Sequence, residues 1–358
     1  MKILVKSVLV LARKLNSENL LKTAYFLATN KSDALSCYYI ACRYLMKSDT
    51  GFYVISDVLA KHDLSLIQMA SPVLEGYHNG GLKLNDIRKF KLRIDQEVQC
   101  HNINNFSLLL TYVDLFLSKD FRAAYEIWRK FDDVINCLAI FKASIANKNV
   151  SDKKIAVVLP GNSTIEFGNE IDSYSLVGRT GFYPPPEKNH KYSGSRFDYV
   201  FLNSDRYTEL SQWDMKDISD FSPKVISNVS CRKIKVSGLK EEPILELKNP
   251  INPITGYSFL ALRIANWCVD KALLKPYFYN GDFYLNDKLY ENDHYDSKKY
   301  LSHEKNVIDS YLLHDVFFVH ACLSIYHQEG LIGAKGTLEN ILKMSGTEFS
   351  EALDKRWS

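Results

Sequence analysis

Residues 147–161 read NKNVSDKKIAVVLPG, and this stretch marks a change of structural class along the chain. Its polar first half ends a long helical pattern, and its second half is a β-branched run closed by Pro160 and Gly161. A short apolar run bounded by Pro and Gly is typical of a buried strand that leads into a turn. We therefore predict that a helical domain, residues 1–150, is followed by an α/β domain, residues 151–358.

On the amino-terminal side, apolar residues recur at three- and four-residue spacings, as in residues 106–146. This periodicity predicts an all-α domain, either a helical bundle or helical-hairpin repeats, and no repeat of fixed period decides between the two. The opening residues MKILVKSVLVLARKL predict an amphipathic helix rather than a signal peptide, because Lys6, Arg13 and Lys14 interrupt the apolar run.

On the carboxyl-terminal side, strand-like and helix-like segments alternate. Strands are predicted in DSYSLVGR, FDYVFLN, KVISNV and PYFYNGDFY, with a helix in residues 256–274 and one long helix from Lys305 to Gln328. This alternation predicts an α/β fold with a Rossmann-like sheet flanked by helices. In such sheets ligands bind beyond the carboxyl ends of the strands, where PGNS, Asn203 and NGD fall.

The composition of the chain excludes several classes of protein. Apolar residues make up 46% of the chain and charged residues 24%, which is typical of a folded globular protein. The net charge is only +3 and no long basic block occurs, so nucleic acid is not an expected partner. Seven cysteines without a CxxC pair indicate neither a disulfide framework nor a zinc site. No run of about 18 apolar residues predicts a transmembrane helix, so a cytoplasmic location is expected.

Six short motifs follow one another in the second half of the chain. They are PGNS at 160–163, LVGR at 176–179, DYVFLNSD at 198–205, NPITGYSF at 252–259, YNGDFYLNDKLY at 279–290 and SHEKN at 302–306. In order and spacing they resemble the small bacterial sialyltransferases of glycosyltransferase family 42, which use CMP-N-acetylneuraminic acid. The resemblance covers residues 155–328 and not the helical first part, and it implies a GT-A-like domain of the sialyltransferase type.

The resemblance implies a set of donor-binding residues. It places them in a Gly-Asn loop after the first strand, at the ends of the next two strands, in a turn before the central helix and in the Gly-x-Asp-Phe-Tyr strand end. One position departs from the family, because Thr180 and Gly181 stand where a donor-contacting Asn would follow the Arg. The implied donor-binding residues are Gly161, Asn162, Ser163, Arg179, Asn203, Thr255, Gly256 and Asp282.

The resemblance also implies the catalytic residues. Tyr284 and Tyr290 match two tyrosines that touch the donor phosphate, and their phenols can stabilise charge on departing CMP without a metal. His303 matches the family's general base, and a histidine can accept a hydroxyl proton near neutral pH. No D-x-D metal motif, GxGxxG or Walker loop occurs, so no metal or other cofactor is expected. The rival histidines are His294, His314, His320 and His327.

The expected function is an inverting transfer of sialic acid from CMP-sialic acid to a glycan acceptor, in lipooligosaccharide or capsule synthesis. One alternative is the same chemistry with another CMP-activated acidic sugar, such as Kdo, pseudaminic acid or legionaminic acid. A more distant alternative is a non-catalytic helical scaffold with a degenerate nucleotide-sugar domain. The expected partners are the CMP-sugar and the glycan acceptor, and the helical domain is a candidate for contact with the inner face of the cytoplasmic membrane or with the assembly machinery.

Overall fold

The protein is described from a computed structural model that divides into two compact units. Unit 1 comprises Met1–Cys137, Asn252–Gly256 and Ile308–Asp315, and unit 2 comprises Leu138–Ile251, Tyr257–Val307 and Val316–Ser358. The predicted boundary at residue 150 lies between the last helix of the amino-terminal series and the first strand. The structure describes residues 2–15, 17–79, 81–97, 101–161, 165–180, 187–196, 198–202, 224–227, 245–246, 252–256, 259–283, 285 and 304–358.

The amino-terminal part is helical throughout its described residues. Several helices begin where a polar side chain accepts a hydrogen bond from a free backbone N–H of the first turn, as Asn30 does from Asp33 and Ser48 from Gly51. A π-helical turn, Ala41–Leu45, follows the third helix. The helices are α1 Lys2–Leu15, α2 Glu18–Leu27, α3 Lys31–Ile40, α4 Asp49–Lys61, α5 Leu66–His78, α6 Leu84–Glu97, α7 His101–Leu117, α8 Phe121–Trp128 and α9 Asp132–Ile145.

Aromatic side chains form the core of unit 1. Phe90 packs against Phe52 at 5.3 Å and edge-on against Phe106 at 6.0 Å between ring centroids. Phe116 and Phe121 make a similar edge-on contact at 5.0 Å. Edge-on pairs add to the free energy gained by burying the rings. Because the paired rings come from different helices, these contacts hold together helices that are distant in sequence.

Unit 2 contains a parallel sheet of seven described strands in the order β5-β4-β3-β2-β1-β6-β7. Residues 155–158 of β1 are buried, which explains why this strand is an uninterrupted apolar run rather than an alternating one. The sequence prediction of an α/β region after a helical one is confirmed. The strands are β1 Lys154–Val158, β2 Leu176–Thr180, β3 Tyr199–Leu202, β4 Lys224–Ser227, β5 Leu245–Glu246, β6 Lys275–Tyr279 and β7 Gly333–Ala334.

The strand order reverses between β1 and β6. The chain first builds outward from β1 to β5, then returns so that β6 pairs with β1 on its other side, with Val158 opposite Tyr279. In open parallel sheets the loops on the two sides of such a reversal diverge, which leaves a crevice beyond the carboxyl ends of the central strands. The topology therefore points to the ends of β1 and β6 as the place for a ligand.

Helices connect and follow the strands, and one of them differs from the prediction. The long helix expected over residues 305–328 is broken at Asp315, which has a left-handed backbone with φ of 47°. The described helices of this region are α10 Gly168–Ser173, a 3-10 turn Glu187–Asn189, α11 His190–Ser193, α12 Leu260–Trp267 with a π-helical turn Cys268–Ala272, α13 Glu304–His314, α14 Val316–Gln328, α15 Thr337–Lys343 and α16 Gly346–Trp357.

A buried hydrogen bond accounts for the break. Asp315 is fully buried, and its carboxylate accepts a hydrogen bond from the indole N–H of Trp128 at 3.1 Å, across 187 residues of sequence. Asp is one of the few residues besides Gly that tolerate a left-handed backbone. The tertiary contact therefore selects a helix break at a position where local periodicity predicts a continuous helix.

In the described part of the chain, no single helix has both the length and the apolar character needed to cross a membrane. One bent pair of helical segments, Val307–His314 and Val316–Gln328, meets the length and composition requirements only when the two are taken together.

We predict that Asp315→Ala destabilises unit 1 by roughly 2–4 kcal/mol, because it removes the acceptor of the buried Trp128 N–H and strains the left-handed backbone. Asp315→Asn keeps an oxygen acceptor, and Asn tolerates this backbone. The free energy of unfolding of this variant should therefore fall by less than about 1 kcal/mol. Asp315→Gly restores only the backbone freedom and should fall between the two. Urea unfolding of the three variants measures these losses, and equal losses would contradict the account.

Candidate functional site at the carboxyl ends of β1 and β6

The two central strands are held together up to the point where the chain leaves the sheet. The backbone N–H of Leu159 donates to the carbonyl oxygen of Tyr279 at 3.0 Å, which extends the β1–β6 pairing one step beyond β1. Pro160 then ends the ladder, since it has no N–H to donate. The loops after β1 and β6 therefore start side by side.

Gly161 packs directly on the loop that follows β6. A Cβ atom at Gly161 would lie 2.0 Å from the carbonyl oxygen of Asn280 and 3.6 Å from Oδ1 of Asp282. The first distance is far below van der Waals contact, so only glycine fits here without moving backbone. The close approach brings Gly161 and the NGD motif together at one edge of the sheet.

Two polar side chains are buried in this edge. Asn280 is 7% exposed, and Asp282 is 5% exposed. Asn280 has a left-handed backbone with φ of 58°, and its side-chain carbonyl Oδ1 is buried without a hydrogen-bond partner among the described residues. A buried acceptor that lacks a donor is uncommon in folded proteins and is consistent with a site that a ligand or water completes.

The turn after β6 is anchored by an aromatic cluster. Phe283, whose φ is 50°, packs edge-on against Phe349 at 5.3 Å and against His320 at 6.0 Å. His320 stacks on Phe349 at 4.1 Å between centroids. This packing fixes the position of Phe283 and of Asp282 before it, and it compensates for a strained backbone.

His320 is a core residue and not a candidate base. Burial lowers the pKa of His320 to about 4, so the ring is neutral at physiological pH. Its Nε2 lies 2.9 Å from the carbonyl oxygen of Ile341, which fits a ring N–H that donates to the backbone. Of the four rival histidines, His320 is thus a buried residue of α14.

A second polar network lies on the sheet beside the site. The hydroxyl of Tyr279 donates to a carboxylate oxygen of Glu170 at 2.8 Å and lies 3.0 Å from the hydroxyl of Tyr174. Burial and the neighbouring Glu170 raise the pKa of Tyr279 well above its usual range. Lys335, which follows β7, completes the network through an ion pair with Glu170 at 3.2 Å. These bonds tie α10 and the end of β7 to β6.

The structure brings some of the predicted donor-binding residues together. Gly161 and Asp282 meet at the ends of β1 and β6. Arg179, at the end of β2, is buried and directs its guanidinium to backbone carbonyls, donating to Ser193 at 2.6 Å and to Arg196 at 2.8 Å. Arg179 therefore fastens the segment before β3, and we interpret its influence on a ligand as indirect.

Thr255 and Gly256 belong to unit 1. The side chain of buried Asn252 accepts from the backbone N–H groups of Ile254 and Thr255, which shapes this turn, and Gly256 closes it with φ of 71°. The remaining predicted site residues lie outside the described residues: Asn162, Ser163, Asn203, Tyr284, Tyr290 and His303, with the rival His294.

Asn280 and Phe283 lie within the predicted motifs NGD and GDFY, but neither was among the predicted donor-binding or catalytic residues. The Asn-Gly dipeptide directly after a strand signals a left-handed turn, and this signal was present at residues 280–281. Nothing local indicates that Phe283 packs on a helix far along the chain. Within the described residues, no three His, Cys, Asp or Glu side chains are grouped closely enough to hold a metal ion.

We predict that Gly161→Ala destabilises unit 2 by about 2–3 kcal/mol, because its Cβ has no space against the Asn280 carbonyl. The matched control is Gly330→Ala, where a Cβ would meet nothing within 4 Å and only the positive φ of 71° is strained. That control should cost about 1 kcal/mol. Urea unfolding compares the two, and a smaller loss for Gly161→Ala than for the control would contradict the close approach.

Comparison with protein-family models, with curated proteins and with solved structures gave no match to this chain.

Proposed function

We propose that this chain is an inverting glycosyltransferase that moves sialic acid from CMP-sialic acid to a hydroxyl of a glycan acceptor, and that its catalytic domain is of the Rossmann-like, sialyltransferase type. The acceptor class follows from the resemblance to glycosyltransferase family 42, which implies lipooligosaccharide or capsule synthesis. A cytoplasmic enzyme is part of the proposal, because CMP-sugars are the donors.

One observation carries the proposal. Gly161 and Asp282 come from two motifs that are about 120 residues apart in sequence, and they meet where the strand order reverses. Ligands of open parallel sheets bind at this place for reasons of topology alone. The resemblance assigns both residues to the donor from sequence order alone, so two independent arguments favour the same edge.

The chemistry would use residues on the two loops and in the segment before α13. His303 accepts the proton of the acceptor hydroxyl, whose oxygen attacks the anomeric carbon of the sugar. CMP leaves with the bonding electron pair, and hydrogen bonds from Tyr284 and Tyr290 stabilise its phosphate. Asn162 and Asn203 would position the donor. A single phosphate carries less charge than a diphosphate, so phenol donors can replace a divalent cation here.

The side chains at the end of β2 support a second candidate for the sugar donor. Thr180 stands where the family has a donor-contacting Asn, and its hydroxyl is buried and donates to the carbonyl oxygen of Val158 at 3.3 Å. The neighbouring Arg179 is held by backbone carbonyls. Neither side chain reproduces the family's contact at this strand end. The same reaction with another CMP-activated acidic sugar, such as Kdo, pseudaminic acid or legionaminic acid, is therefore the second candidate.

We predict that the full-length protein releases CMP from one of these CMP-sugars, and that release continues in EDTA. Tyr284→Phe and Tyr290→Phe should each slow turnover by about 100-fold, because each loses one hydrogen bond to the leaving phosphate. A coupled assay for CMP, run over the panel of donors with and without glycan acceptors, measures both effects.

The control for the phenols is Tyr53→Phe, which changes an exposed tyrosine of unit 1 and should leave turnover unchanged. Normal turnover in both site variants would show that the phenols do not act on the phosphate. A protein that neither binds nor cleaves any CMP-sugar would support the alternative of a helical scaffold with a degenerate nucleotide-sugar domain.

We predict that His303→Ala lowers the transfer rate by roughly 100-fold while donor affinity stays nearly constant, because a base acts on the acceptor and not on CMP. In the wild type, the rate should fall as the pH drops through the range in which imidazole is protonated, near pH 6.5. The variant should lose this acid limb.

The matched control is His78→Ala, because His78 is an exposed histidine at the end of α5. Rate and donor affinity are measured on one preparation of each protein, after circular dichroism has shown that it is folded. Normal turnover in folded His303→Ala would remove this residue from the mechanism and leave His294 as the next candidate.

A further inference from the structure

Helix α1 has an apolar stripe that unit 1 does not cover. Leu4, Leu11 and Leu15 are 53%, 48% and 66% exposed, respectively. Their spacings of seven and four residues place them on one face of the helix. A separate face, formed by Val5, Leu9 and Ala12, is the one that is buried in unit 1.

The rest of the exposed surface of α1 carries three cations together with Ser7 and Val10, and Val10 is 53% exposed. Lys6, Arg13 and Lys14 are all exposed, and the sequence of α1 contains no Asp or Glu. Within the part of the chain that the structure describes, none of these three cations forms an ion pair with a carboxylate. With Val10, four large apolar side chains of this one helix are exposed, which is more than the scattered single residues of an ordinary surface, and every charged side chain of the helix is positive.

We propose that α1 docks this chain on a membrane surface that contains anionic lipids. The helix would lie in the plane of the interface, with the three leucines at the boundary of the acyl chains and the cations among the headgroups. Each cation near such a surface is attracted by its negative potential. The apolar and the charged faces of α1 thus both find partners in a single occupant.

Charge and length argue against other occupants. A second copy of the chain would bring the same cations against each other in a symmetric interface, which is repulsive. Nucleic acid would attract the cations but would leave the leucine stripe uncovered. The 14 residues of α1 span only about 21 Å, so it is too short to cross a hydrocarbon core of about 30 Å.

The test is flotation of the full-length protein with lipid vesicles. Vesicles of phosphatidylcholine with about 30% phosphatidylglycerol should carry the protein at low salt, vesicles of phosphatidylcholine alone should carry much less, and 1 M salt should weaken binding. The triple variant Lys6→Gln, Arg13→Gln, Lys14→Gln should bind about 100-fold more weakly. In the double variant Leu11→Ser, Leu15→Ser, the affinity for anionic vesicles should fall at least about tenfold.

Control variants elsewhere in the helical part test whether binding depends on α1 itself or only on the net charge and the exposed apolar area of the protein. Changing the exposed Lys83, Lys89 and Lys130 to Gln alters the net charge by the same amount, and Leu92→Ser removes an equally exposed leucine from α6. These controls should bind anionic vesicles like the wild type. Circular dichroism and thermal unfolding verify that every variant is folded.

The following results would overturn the proposal. They are an absence of binding to anionic vesicles, equal losses in the α1 variants and their matched controls, and a dimer in solution that Leu11→Ser, Leu15→Ser dissociates. Binding of single-stranded RNA with higher affinity than anionic vesicles would overturn it as well. CMP-sugar turnover in detergent-free buffer without vesicles should be the same in all variants, so the outcome is independent of the proposed function.

Discussion

The close approach of Gly161 to the carbonyl of Asn280 is the constraint on which unit 2 depends. It continues the pairing of β1 with β6, two strands that the chain brings together only after it has built β2 to β5 on the other side. Any side chain at Gly161 would separate the two loops. The edge of the sheet at this reversal is therefore shaped by a backbone contact, and the side-chain carbonyl of Asn280 is buried beside it without a hydrogen-bond partner among the described residues.

The rigidity of this edge comes from apolar packing some distance along the chain. Asn280 and Phe283 both have left-handed backbones, which Asn tolerates and which cost free energy for Phe. The stack of His320 on Phe349, with Phe283 against both rings, offsets that cost. A histidine serves here as an aromatic ring with one internal hydrogen bond, and burial keeps it neutral.

Much of the architecture was predictable from local pattern, and its exceptions have tertiary causes. The β-branched run before Pro160 predicted β1 and the change from helices to an α/β sheet, because burial on both faces of a parallel strand leaves a continuous apolar run. The break at Asp315 was not predictable, since its cause is the indole of Trp128, far away in sequence. Two segments that are distant in sequence from the amino-terminal helices also belong to unit 1, namely Asn252–Gly256 and Ile308–Asp315. No local sequence pattern predicts this.

The candidate site shows where motif reasoning holds and where it stops. Gly161 and Asp282, which the motifs assign to one site, lie close together at the ends of β1 and β6. Motif reasoning assigned Arg179 to the donor, whereas a buried guanidinium needs several acceptors and here two backbone carbonyls supply them. Residue type and spacing indicate which groups are near a site, but they do not indicate where each group directs its hydrogen bonds. An arginine at a strand end that donates to two backbone carbonyls holds in place the segment that supplies them, here the residues from Ser193 to Arg196 before β3.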